Sequence, residues 1–118
     1  MKEFDLNART KQFALRIIRL FRSLPKSPDA QVIGKQILRS GTSVGAQYRE
    51  ACRPRSDAEF ISKMTNALQE LDETAYWLEL LVEGEFVEAN KLKELVDENE
   101  QLTAIFVTSI KTKKANMR

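Results

Sequence analysis

Apolar residues recur at three- and four-residue steps through four stretches of this chain, the spacing that places them on one face of an α-helix. The first stretch, about Asn7 to Leu24, aligns Phe13, Ile17, Leu20, Phe21 and Leu24. The second, Pro28 to about Cys52, turns Ile33, Ile37, Val44 and Tyr48 the same way. The third, Asp57 to Glu83, has an inward face of Phe60, Met64, Leu68, Leu71, Ala75 and Leu78. The fourth, about Glu88 to Lys111, carries Leu92, Leu95, Val96, Leu102, Ile105, Phe106 and Ile110, with Asn99 inside the seam.

The residues between these stretches read as helix punctuation. Leu24-Pro25-Lys26-Ser27-Pro28 stops the first, and Pro28 suits the first helical position behind Ser27 as N-cap, because its missing N–H would be unpaired there anyway. Arg53-Pro54-Arg55 breaks the second, and Ser56-Asp57-Ala58-Glu59 restarts the chain as a capping box in which Ser56 and Glu59 each satisfy an amide of the other. Gly84 fits a left-handed C-cap. The tail from Lys113 to Arg118 has no apolar period and is expected to fray. No strand alternation or internal repeat interrupts the pattern. Short connections favour antiparallel neighbours, so the prediction is an all-α, antiparallel up-down four-helix bundle spanning residues 1–118 as one domain, with helices at about 7–24, 28–52, 57–83 and 88–111.

At 118 residues and 42% hydrophobic composition the chain can build one core but not two. It contains no histidine, which removes the usual metal ligand and the usual neutral-pH acid or base. No glycine-rich phosphate loop occurs either. Only carboxylates, Lys or Tyr, Tyr48 among them, remain for catalysis, and no convergent pair stands out; the expectation is a non-enzymatic protein without metal or cofactor. The single cysteine, Cys52, forms no internal disulfide and reads as a small core residue, with a reactive thiol beside Arg49 and Arg53 as the alternative. The richest apolar run, Ala75 to Val82, is interrupted by Glu79, so a soluble cytoplasmic protein without a membrane partner is expected.

Charge changes this picture most. The formal net charge is only +2, yet residues 1–55 hold twelve Lys/Arg against four Asp/Glu, while residues 56–118 hold seven against thirteen. At 100° per residue Lys11, Arg19, Arg22 and Lys26 share an arc opposite the apolar face of the first helix. On the second, Lys35, Arg39, Thr42, Ala46, Arg49 and Arg53 form a ridge opposite Ile37 and Val44. Such ridges suit phosphate backbones, since each neutralised phosphate releases counterions and no base edge need be read. Ordinary solvated faces intersperse both signs. Here Glu50 is the one acid between Lys35 and Arg55, and both readings stay open.

Gly34, Gly41 and Gly45 lie on one flank of the second helix, where each costs about 1 kcal/mol relative to alanine. Close approach of a neighbouring helix is the expected compensation, with a ligand pocket as the alternative. Ser40, Thr42 and Ser43 sit in a helix interior without a base beside them, which argues against nucleophilic chemistry. Trp77, Leu80 and Leu81 point away from the inward face of the third helix, and Ile105 overhangs on the fourth; together they predict an oligomer interface. Tyr76 and Trp77 could alternatively stack on bases, but their half of the chain is net negative and repels phosphate.

The run from Arg39 through Ser40-Gly41-Thr42-Ser43-Val44-Gly45-Ala46-Gln47-Tyr48-Arg49-Glu50-Ala51-Cys52-Arg53-Pro54-Arg55 to Ser56 resembles a family of bacterial four-helix-bundle proteins. So do Ala58-Glu59-Phe60-Ile61, Asp72 to Leu81, and Leu102 to Thr112. The first members of that family were encoded by intervening sequences within 23S ribosomal RNA genes. The resemblance covers most of the chain. It implies an antiparallel four-helix bundle assembled as a homo-oligomeric ring, a pentamer in similar proteins. It also implies a kinship with the accessory variability determinant of diversity-generating retroelements, whose basic barrel binds nucleic acid and partners a reverse transcriptase. On that resemblance the candidate nucleic-acid surface comprises Arg16, Arg19, Arg22, Lys35, Arg39, Arg49, Arg53 and Arg55, contacting RNA or DNA. A protein-interaction scaffold is the alternative. The chain departs from the family pattern at Gln47, where Asn is usual.

Overall fold

The four apolar stretches are helices in the computed structural model, which describes residues 5–117: α1 (Leu6–Ser23), α2 (Pro28–Ala51), α3 (Asp57–Glu83) and α4 (Ala89–Ala115). They run up and down in a bundle 51 × 23 × 21 Å, with α2 packed on α1 and α3, and α3 on α4. No strand occurs among the described residues. Phe13, Ile17, Ile37, Val44, Met64, Leu71, Leu78, Leu102 and Phe106 form the centre of one continuous core.

On α3 the core stripe differs from the expected one by a single step. Met64, Ala67, Leu71, Thr74, Leu78 and Leu81 are buried, while Ala75 faces solvent. Thr74 can occupy the inside because its hydroxyl bonds both Ser40 Oγ, at 2.8 Å, and the Glu70 carbonyl, at 2.8 Å, so no polar group is stranded. Exposing Ala75 instead forfeits little apolar burial. Leu81, expected at an oligomer interface, is wholly inside the bundle. Asn99 is buried in the α4 seam and donates to the Leu71 carbonyl at 3.3 Å.

The glycine flank of α2 receives α1. A Cβ at Gly41 would lie 2.7 Å from Ile17 Cγ1, one at Gly34 would lie 2.8 Å from Leu24 Cδ1, and one at Gly45 would lie 3.1 Å from Thr10 Oγ1. The helix-propensity cost of these residues is thus offset by packing against α1: its side chains fill the space at Gly34 and Gly41, and its backbone approaches at Gly45, where Thr10 C would lie 3.6 Å from the Cβ.

Three helix ends depart from the sequence expectations. Ser27 occupies the N-cap position of α2 without a side-chain capping bond. The neighbouring Ser27 hydroxyl, and the Ala30 N–H from which Asp29 accepts at 2.9 Å, hold the Asp29 carboxyl below its usual range. At α3, Ser56 Oγ accepts from the Glu59 N–H at 3.0 Å as predicted, but Glu59 reaches back to Arg55 instead of Ser56. At the end of α3, Gly84 keeps right-handed geometry, and the left-handed residue is Glu85, with φ 67°. The Phe86 N–H bonds the Leu81 carbonyl at 2.9 Å and the Glu85 N–H bonds the Val82 carbonyl at 3.0 Å, the two bonds of a Schellman motif. A side chain in that conformation costs about 1–2 kcal/mol. Glu85→Gly is therefore expected to stabilise the fold, by about 1 kcal/mol once glycine's greater unfolded-state entropy is subtracted, measured as a rise in the urea midpoint.

The fourth helix continues to Ala115, beyond the expected Lys111. Lys113 is fastened to the start of α3: its ammonium lies 2.9 Å from Asp57 and 5.5 Å from the centre of the Phe60 ring. These contacts hold the last turn against fraying through Ala115; Arg118 lies outside the described residues.

Candidate nucleic-acid interface

Because α1 buries Phe13, Ile17 and Leu20 and α2 buries Ile37, Ser40 and Val44, the opposite sides of both helices turn outward together. On those sides Lys11, Arg19, Arg22, Lys35 and Arg49 are exposed, and Lys26 and Arg53 are exposed just beyond the ends of α1 and α2. None of the seven has a carboxylate within ion-pair distance among the described residues. Five of them belong to the set predicted from the resemblance.

The other three predicted residues are engaged. Arg16 turns toward α4 and lies 3.7 Å from Glu94, a loose pair whose acid is almost fully exposed. Arg39 lies on the outer ridge but is bound by α3, with Nη2 2.7 Å from Glu73 and Nη1 3.7 Å from Glu70. Arg55 makes a two-pronged pair with Glu59, through Nε at 3.1 Å and Nη2 at 2.8 Å, and its own backbone N–H bonds the same carboxylate. This pairing raises the Arg55 pKa and, with the backbone bond, lowers that of Glu59. Helical periodicity shows which way a cation points from its own helix. It cannot show that an acid on the next helix stands opposite.

The expected continuous strip is consequently two groups. Phe21 and Leu24 lie against Gly34, and Thr10 against Gly45, which sets α1 antiparallel to α2. Arg19, Arg22 and Lys26 then share one end with Lys35, while Lys11 lies toward Arg49 and Arg53 at the other. From Lys35 to Arg49 is fourteen residues, about 21 Å at the helical rise. Between them the ridge is short and uncharged apart from the neutralised Arg39: Thr42 and Ser43 are half-buried, Ala46 is exposed. Arg49, Arg53 and Arg55, with Glu50, Glu59 and Lys63, line an open hollow of about 390 Å³ where α2 turns into α3.

Arg9 was absent from the predicted set and holds α1 to α4. Its guanidinium reaches Glu98 at 2.7 and 3.0 Å and Gln101 at 3.0 Å, and the Glu98 hydrogen bond raises its pKa. Burial raises the Glu70 carboxyl above its usual range, with Arg39 opposing the shift. Burial and the neighbouring Cys52 push the Tyr48 phenol up to about 12, so it stays protonated at neutral pH and is unsuited to act as a base there. Cys52 itself is exposed, not in the core, because α2 ends at Ala51 and the chain turns away. Ser40 is buried against Thr74, and Thr42 and Ser43 hydrogen-bond carbonyls one turn back. Gln47 is half-buried, its Oε1 covered and without a hydrogen-bond partner among the described residues.

On the other side of the molecule the predicted interface residues Trp77, Leu80 and Ile105 are half-buried, and Trp77 Nε1 is covered within the chain. Tyr76, whose ring centre is 5.2 Å from that of Trp77, is the more exposed aromatic. Ala75, Leu78, Val82 and Val96 line a groove of about 260 Å³ between α3 and α4, edged by Glu79, Glu83 and Glu100. Among the described residues no helix is long and apolar enough to cross a membrane, and no three potential metal ligands gather.

A solved structure from Bacteroides thetaiotaomicron, described as a protein with unknown function from the S23 ribosomal protein family, superposes with a TM-score of 0.87. It is 38% identical to this chain, over 94% of this chain and 99% of its own. Among curated proteins none matches. The sequence profile of the 23S rRNA-intervening sequence protein family matches residues 2–108, including both cation-bearing helices and most of α4, and the chain accordingly belongs to that family.

Proposed function

We infer that this protein is a non-enzymatic nucleic-acid-binding bundle whose α1 and α2 faces contact phosphates. The observation that carries the reading is the set of seven exposed Lys and Arg side chains, on α1, α2 and the turns that follow them, without carboxylate partners among the described residues. Most of the acids lie on α3 and α4, so the opposite side repels a polyanion and gives it one preferred approach. If five of the seven neutralise duplex phosphates, log affinity falls with log salt at a slope of about −4 to −5 per protomer. A filter-binding titration between about 50 and 200 mM salt measures it. A flat line would leave the basic faces merely solvated.

Self-association is part of the same proposal: Trp77, Leu80 and Ile105 retain partial exposure, and a homo-oligomeric ring, a pentamer by family resemblance, would repeat the basic face around its circumference. Sedimentation of the nucleic-acid-free protein tests this, and a monomer at micromolar concentration removes it. The alternative of a protein-interaction scaffold is favoured by the α3–α4 groove, whose apolar floor and acidic edge suit a helix better than a polynucleotide. A reverse transcriptase is one such partner by family resemblance.

A further inference from the structure

The geometry points to double-stranded RNA, laid across the outward face of α2, as the polymer this surface takes; this rests on the nucleic-acid reading above and narrows it. Three observations converge. The free cations fall into two groups, separated on α2 by Arg39, which Glu73 and Glu70 neutralise, and on α1 by the eight residues, about 12 Å, from Lys11 to Arg19. A single strand is best held by an unbroken cationic groove with aromatic platforms for its bases. Here the run of free cations is interrupted, and among the described residues neither α1 nor α2 exposes an aromatic side chain: Phe21 is half-buried beside Gly34, and Tyr48 packs on Phe106 with ring centres 5.7 Å apart. Two separated cationic groups instead match two separate stretches of backbone on either side of a groove.

The centre of the ridge distinguishes the kind of duplex. Thr42, Ser43 and Ala46 are too short to read base edges at the floor of a major groove about 8.5 Å deep, and a B-form minor groove about 6 Å wide does not admit a helix. An A-form minor groove is wide and shallow and displays the 2′-hydroxyls. Short side chains let the α2 backbone come close to it. The Thr42 and Ser43 hydroxyls already donate to carbonyls of their own helix, at 2.7 Å each, which leaves their oxygens free to accept from ribose hydroxyls that DNA lacks.

The test uses the full chain and three probes of one sequence, about 20 base pairs or nucleotides long: an RNA duplex, a DNA duplex and single-stranded RNA. Fluorescence anisotropy at fixed salt is expected to show the RNA duplex bound at least about tenfold more tightly than either of the others. Ala46→Phe, which adds bulk at an exposed ridge position without altering charge, is expected to weaken the RNA duplex about tenfold while circular dichroism stays unchanged. Single-stranded RNA or duplex DNA within tenfold of the RNA duplex, or an Ala46→Phe variant that binds normally, overturns this inference and leaves general phosphate binding standing. Absence of binding by all three probes overturns both.

Discussion

Gly41→Leu is expected to lower the unfolding free energy by about 3 kcal/mol or more, read as a fall in the urea midpoint with the slope unchanged. Gly41 is buried against α1, where even a Cβ would stand 2.7, 2.9 and 3.1 Å from three carbons of Ile17. Ile17 has no solvent exposure and is β-branched, so it cannot swing clear without disturbing the core around it. The helix-propensity gain of about 1 kcal/mol from replacing glycine opposes the clash but does not match overpacking by four carbons. Gly41→Ala adds one carbon instead of four and should cost less, but still destabilises, since Cγ1 and Cγ2 of the buried Ile17 lie within 3.0 Å of the new Cβ. Combining Gly41→Ala with Ile17→Ala, which removes all three of these carbons, should cost less than the two single losses added together, because the space vacated takes the added methyl; a double-mutant cycle that shows no favourable coupling would place the strain elsewhere. Gly45→Ala provides the contrast. Its nearest neighbour is the Thr10 hydroxyl at 3.1 Å, and the change should be close to neutral.

Replacing Arg19, Arg22, Arg49 and Arg53 together by Glu is expected to reduce polynucleotide affinity by at least about 100-fold at low salt and to flatten the salt dependence, while the thermal midpoint moves little. These four are exposed and have no acidic partner among the described residues, so reversing them breaks no ion pair of the fold. Arg39 and Arg55 are unsuitable for the purpose. Arg39→Glu would face Glu70 and Glu73, and Arg55→Glu would face Glu59, and a lost affinity could then reflect a disturbed α2–α3 junction. Reversing Arg19 and Arg22 alone, or Arg49 and Arg53 alone, should each remove part of the salt slope, since the two groups meet different phosphates. Retained affinity in the fourfold variant would assign the polynucleotide to another surface or to none.

The number of helices, their approximate extents and the basic character of α1 and α2 were legible from residue spacing, because helical periodicity is local and proline, glycine and capping residues act within a turn. Even the purpose of Gly34, Gly41 and Gly45 was readable, as their propensity cost demanded a compensating neighbour. Tertiary packing decided the rest. Thr74 displaced Ala75 from the core because Ser40 on α2 offered it a hydroxyl, and Leu81 turned inward instead of toward a partner subunit. Asp57 and Phe60 on α3 extended α4 past its apolar period by holding Lys113. Glu70 and Glu73, remote in sequence, divided a continuous ridge of charge into two groups by neutralising Arg39. Each of these outcomes depends on which side chain of another helix stands within a few ångströms, a distance that no periodicity along a single helix encodes.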